Sequence, residues 1–148
     1  MNIILYRHRA SKFGLDGILS IRNQKVCDTT EHPDLHLAVG TYRIVIATLP
    51  KLRRKVPFVV TPETFSQDYK SVIPSGKVLE KHHTSYVGMG HGPFNLRQSN
   101  ILVGERRKAD DRILRGVLFK SEDTFARLID RLDKAQCRSE EIMLTICN

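Results

Sequence analysis

The sequence predicts an α+β protein: a β-rich single domain, a mixed sheet or small barrel-like arrangement, with one C-terminal amphipathic helix followed by a final strand. Three observations predict it. Short β-prone runs punctuated by Gly, Pro and Asn recur from Asn2 to Thr61. One later segment, Ser121 to Gln136, places Phe125, Leu128, Ile129, Leu132 and Ala135 on one helical face. After it, Ile142, Leu144 and Ile146 alternate as a strand does. The 148 residues suit one domain spanning the whole chain.

Taken in order, Asn2 to Tyr6 is apolar and β-prone and reads as the first strand. Gly14 and Gly17 are expected to bracket a turn. Ile18 to Arg22 and Lys25 to Thr30 follow as a hairpin, with Asn23 and Gln24 at the turn although the usual Asn-Gly pair is absent. Thr41 to Ala47 alternates as a strand and is ended by Pro50, and Val56 to Thr61 is stopped by Pro62. Pro62 to Gly90 reads as long loops with one short strand, a kind of segment that is often functional. Ile101 to Val103 is a short apolar run, and Glu105 to Arg112 is charged enough to read as an exposed loop. Ser121 is the expected N-cap of the helix, with Glu122 and Asp123 favourable in its first turn.

Composition bounds the function classes. Hydrophobic residues are 41% and charged residues 27%, the profile of a globular chain rather than a disordered, collagenous or disulfide-framed one. No apolar run approaches the ~20 residues of a membrane span, and no export signal is read in the N-terminal MNIILYRHR, so synthesis in the cytoplasm is expected. Cys27, Cys137 and Cys147 have neither CxxC pairing nor metal-ligand spacing, which suits reduced thiols. No cofactor or metal site is expected. The net charge of +8 attracts polyanions without naming one. The candidate contacts are two clusters: Lys51, Arg53, Arg54 and Lys55, and Arg106, Arg107 and Lys108.

Few residues carry chemistry. His82 and His83 are adjacent, which in a strand points them to opposite faces. His91 sits among Gly88, Gly90 and Gly92, where glycine allows close approach of backbone to a ligand, so it is a candidate for the mouth of a pocket. No Walker loop and no GxSxG elbow is present. Asp110 and Asp111 read as solvent-facing. Tyr69, Tyr86 and Phe94 are the aromatics that could stack on single-stranded nucleic acid.

The ordered set of short motifs resembles an uncharacterised domain family of bacterial and phage genomes. That family shows a C-x-T-x-E element, an [IV]-P-x-G-T-Y strand, an I-H-x-G-N loop, a G-C-I-L-V-G motif and an S-x-x-x-F-x-x-L helix. The matching residues are Cys27-Asp28-Thr29-Thr30-Glu31, Leu37-Ala38-Val39-Gly40-Thr41-Tyr42 without the proline, and Ile101-Leu102-Val103-Gly104. Ser121, Phe125 and Leu128 match the helix. The family is in turn similar to cell-wall enzymes of the L,D-transpeptidase type, in which a cysteine thiolate attacks a peptide carbonyl and a histidine takes its proton.

The departures from the family pattern fall on the chemistry. Ser99-Asn100 stands where the family has Gly-Cys, so Asn100 occupies the nucleophile's position. His91-Gly92-Pro93-Phe94-Asn95 stands in place of the histidine loop. A carboxamide is no nucleophile, and Ser99, one residue away, points to the other face of a strand. His91, Asn95, Ser99 and Asn100 are therefore expected to be a vestigial site. The expectation is a non-catalytic structural or binding module on an inactivated L,D-transpeptidase-like scaffold, a component of a phage virion or injection machine with a protein assembly partner. The alternatives are a cell-wall peptide-modifying enzyme with a rearranged site, and a basic nucleic-acid-binding protein.

Overall fold

The computed structural model describes residues 1–61, 73–109, 112–113 and 116–148. Alternation in the first thirty-one residues builds a three-stranded meander: β1 (Asn2–Ser11), β2 (Gly14–Ile21) and β3 (Gln24–Glu31). Ile3 and Leu5 of β1 pair with Ile21 and Leu19 of β2, so the part of the inner face near the β2–β3 turn is apolar. Arg22 and Asn23, with φ of 53° and 62°, form the two-residue turn between β2 and β3. Positive φ at both positions is what the right-handed twist of a tight hairpin requires. The expected turn at Asn23-Gln24 is thus shifted by one residue.

A second hairpin follows, β4 (Gly40–Leu49) and β5 (Arg54–Val60). The chain continues through α1 (Gly76–Lys81), β6 (Val87–Gly88), a single 3-10 turn at Pro93–Asn95, and β7 (Ile101–Gly104). A small ribbon of β8 (Lys108–Ala109) and β9 (Arg112–Ile113) precedes the long helix α2 (Ser121–Cys137) and the last strand β10 (Ile142–Cys147). The main sheet has eight strands in the order β5-β4-β10-β1-β2-β3-β7-β6. β10 runs parallel to β1 and β6 parallel to β7, and the other pairs are antiparallel. A bridge between Phe58 and Tyr86, with the Val59 N–H donating to Ser85 O at 2.8 Å, brings β5 back to the start of β6. The result is a nearly closed barrel, which leaves little unpaired sheet edge.

α2 lies against the barrel. Its stripe of Phe125, Leu128, Leu132 and Ala135 is buried and packs across β7, β4, β5 and β10. Full burial of side chains of this size contributes about 1.5–3 kcal/mol each. Gln136 adds a polar lock. Its side chain accepts from Ile46 N and donates to Ile46 O, both at 2.8 Å, in the stretch of β4 that extends past the β4–β10 pairing.

Four expectations are corrected. Gly14 and Gly17 do not bracket a turn. Lys12 and Phe13 make the connection, and Gly17 lies inside β2 opposite Arg7. A Cβ at Gly17 would stand 2.8 Å from Thr29 Oγ1 and 3.1 Å from Leu5 Cδ1, so crowding of the barrel wall, not turning, selects glycine there. Ser121 is not the N-cap: Lys120 holds that place, with φ 51°, while Ser121 Oγ donates to Val103 O at 2.6 Å and accepts from Gly90 N at 3.0 Å. Glu105 and Phe119 exchange backbone hydrogen bonds, and β8 and β9 pair, so the stretch from Glu105 is not simply an exposed loop. Between Pro62 and Gly90 the expected short strand is β6, but helix α1 was not anticipated. It starts at Ser75, whose Oγ accepts from Val78 N at 3.3 Å. Tyr69, Asp110 and Asp111 lie outside the described residues.

Candidate functional site

The four residues of the expected vestigial site do not form one constellation. Asn100 is buried at the start of β7, and its Oδ1 accepts from Tyr86 N at 3.0 Å and from Gln98 Nε2 at 3.1 Å. Gln98 Nε2 also donates to Thr84 O at 3.0 Å. The carboxamide therefore ties the segment before β6 to the segment before β7. His91 is exposed and belongs to a different neighbourhood: its backbone O accepts from Leu118 N at 2.8 Å, and its Nδ1 lies 3.5 Å from Leu118 O. Asn95 ends the 3-10 turn and is exposed, and Ser99 is half-buried. Among the described residues no hydrogen bond joins His91 to Asn95, Ser99 or Asn100.

The three thiols sit on separate elements. Cys27 is 4% exposed inside the barrel, and burial, aided by the neighbouring Asp28 carboxylate, pushes its pKa up to about 12. At neutral pH that sulfur is a thiol, and the thiolate is the nucleophile. Cys137 and Cys147 are free thiols at the ends of α2 and β10. Among the described residues, no three His, Cys, Asp or Glu side chains gather as a metal cluster.

The basic residues divide sharply. Lys51, Arg53, Arg54 and Lys55 are all exposed at the β4–β5 turn, where Lys55 Nζ pairs with Asp133 at 3.1 Å. Arg107 is exposed with its guanidinium 4.8 Å from the centroid of Phe119. The side chain of Lys108 lies outside the described atoms. Arg106 is placed differently: its side chain is only 7% exposed and is bound to Asp16 at 3.4 Å and Asp28 at 3.5 Å. It also donates to Thr29 O, and its own N–H donates to Asp28 Oδ2 at 2.8 Å. Arg106 is an internal strut and contributes little to the outer field.

That strut belongs to a polar system absent from the sequence reading. Inside the barrel Arg7 and Glu31 form a two-point ion pair, with Arg7 Nε to Oε2 at 3.0 Å and Nη2 to Oε1 at 2.8 Å, and Nη2 also donates to Leu37 O at 2.7 Å. Glu31 is fully buried. On the other face of the meander, Asp16 accepts from Thr30 Oγ1, from Gly116 N and from Arg9. His8 stands at the rim, its Nε2 3.5 Å from Arg106 Nη1. Desolvation and the Arg106 charge hold the His8 imidazole below its ordinary pKa. The signal existed in the sequence: Ile3, Leu5 and Arg7 share a strand face, as do Cys27, Thr29 and Glu31.

One groove gathers residues that the sequence analysis had kept apart. Leu49, Pro50 and Lys51 of the β4–β5 turn, Lys77, Glu80 and Lys81 of α1, and His83, Thr84, Tyr86 and Gln98 enclose about 540 Å³. Gly76 lets α1 lie against β4, since a Cβ there would fall 1.6 Å from Thr48 O. Lys51 N donates to Glu80 Oε2 at 3.4 Å, which ties the turn to the helix. The Tyr86 ring sits edge-on to Phe58, 6.0 Å between centroids, with Lys51 Nζ 5.9 Å from its own centroid.

Architecture and sites together define a class: a nearly closed mixed β-barrel, packed against one long helix and braced by buried ion pairs. Compared with known proteins, the chain matches no family model, no curated protein and no solved structure.

Proposed function

We propose that this protein is a non-catalytic binding or structural module, one that holds a partner within a larger assembly rather than making or breaking bonds. The single observation that carries this is the bonding of Asn100. Its carboxamide is occupied by Tyr86 N and Gln98, and it stands where the resemblance to L,D-transpeptidase-like enzymes requires a thiolate. Among the described residues no hydrogen bond joins His91 to Asn100, and the barrel's own thiol, Cys27, is buried and protonated. Loss of one member of a nucleophile–base set costs orders of magnitude in rate. An assembly of the virion or injection-machine type is the setting that the same resemblance suggests.

Incubation with peptidoglycan stem peptides, followed by chromatography of the products, tests the reading. Unchanged peptides are expected for the protein and for His91→Ala alike. Peptide cleavage or exchange that disappears in His91→Ala would establish an enzyme instead.

A further inference from the structure

We propose that the groove between the β4–β5 turn and α1 binds single-stranded nucleic acid, with a base on Tyr86 and phosphates on Lys51, Lys77 and Lys81. The inference rests on the reading of the chain as a binding module and gives that module a ligand and a site. Charge is the first argument. Three lysines and His83 line the groove against one carboxylate, Glu80, which is turned to the Lys51 N–H. Exposed Arg53 adds a further positive charge on the β4–β5 turn.

The shape of the floor is the second argument. It holds the exposed ring of Pro50 and the half-buried ring of Tyr86, apolar surfaces that suit a planar base. Tyr86 is held by Phe58 at 65° between ring planes, so its orientation is set before any ligand arrives. Lys51 already places its ammonium near that ring and can exchange this contact for a phosphate. The lysines lining the groove are point charges that can meet phosphate oxygens from many directions. Phosphate contact and base stacking are together the recognition mode of single strands.

Fluorescence anisotropy with a short labelled oligothymidylate, titrated at several salt concentrations, tests the proposal on the full chain. Binding at low salt is expected, with log affinity falling linearly in log salt. Lys77→Glu combined with Lys81→Glu should lower that slope by about 1.4, at about 0.7 per phosphate contact on a single strand. Tyr86→Leu should weaken binding about 5- to 140-fold, the range of one lost base stack, while Tyr86→Phe keeps it. Lys12→Glu, on the turn at the opposite end of β1, should change little, and circular dichroism confirms that each variant is folded. No binding at low salt overturns the proposal. So does equal loss from Lys12→Glu and Lys77→Glu, or polyglutamate competing as well as the oligonucleotide, which would assign the groove to acidic protein. None of these results bears on the peptide assay, which tests separately for acyl transfer.

Discussion

The carboxamide of Asn100 holds the Tyr86 N–H and the Gln98 side chain, and that bonding limits what position 100 can do. Asn100→Leu should lower stability by about 1–3 kcal/mol, read from the urea midpoint, because a buried N–H loses its acceptor. Asn100→Cys places a sulfur at this position, yet it should not generate acyl transfer, since among the described residues no histidine is hydrogen-bonded to residue 100. A further residue-scale test lies in the barrel. Arg7→Met should cost about 3–5 kcal/mol in the same denaturation, because it strands the fully buried Glu31 charge. At this scale the sequence singled out Asn100, His91 and the basic clusters. It did not show that Arg106 is buried, because a run such as Glu105-Arg106-Arg107-Lys108 looks uniformly solvated until Asp16 and Asp28 are brought under it from another part of the chain.

Strands and helices were legible wherever one face is buried. Phe125, Leu128 and Leu132 announced α2 by their spacing, and Ile142, Leu144 and Ile146 announced β10. α1 was missed because it has six residues and only one large buried side chain, Leu79, too few for a helical period. Ser121 was misplaced for a related reason: its type suits an N-cap, but the Val103 carbonyl and the Gly90 amide compete successfully for its hydroxyl. The lock between α2 and β4 gives the test at this scale. Gln136→Ala leaves the Ile46 N–H and C=O without their partner and should lower the thermal midpoint, with a loss of about 1–3 kcal/mol in stability. Gln136→Glu keeps the acceptor for Ile46 N but sets a carboxylate against Ile46 O, so it should fall at or below the alanine variant.

For the whole molecule, the barrel class followed from many short strands and one late helix, whereas strand order did not, because β10 inserts between β1 and β4 from the far end of the chain. The groove was equally hidden: Tyr86 and the Lys51 cluster are distant in sequence and meet only when β5 returns to β6. The polar bracing gives the molecule a pH response. His8 is held below its ordinary pKa of 6.5 in the folded state, so the unfolded chain binds that proton more readily. The His8 contribution to stability is therefore complete above about pH 6.5 and is lost as pH falls below it. Thermal melts stepped from pH 7.5 to 5.5, values chosen about one unit either side of that pKa, should show a decline that is shallower in His8→Gln. The central claim, that the protein binds without forming a covalent intermediate, is tested most directly by intact-mass spectrometry after incubation with peptidoglycan stem peptides. The account predicts an unmodified mass at every time point. A mass increase equal to one acyl peptide, carried by a residue of this chain, would contradict it.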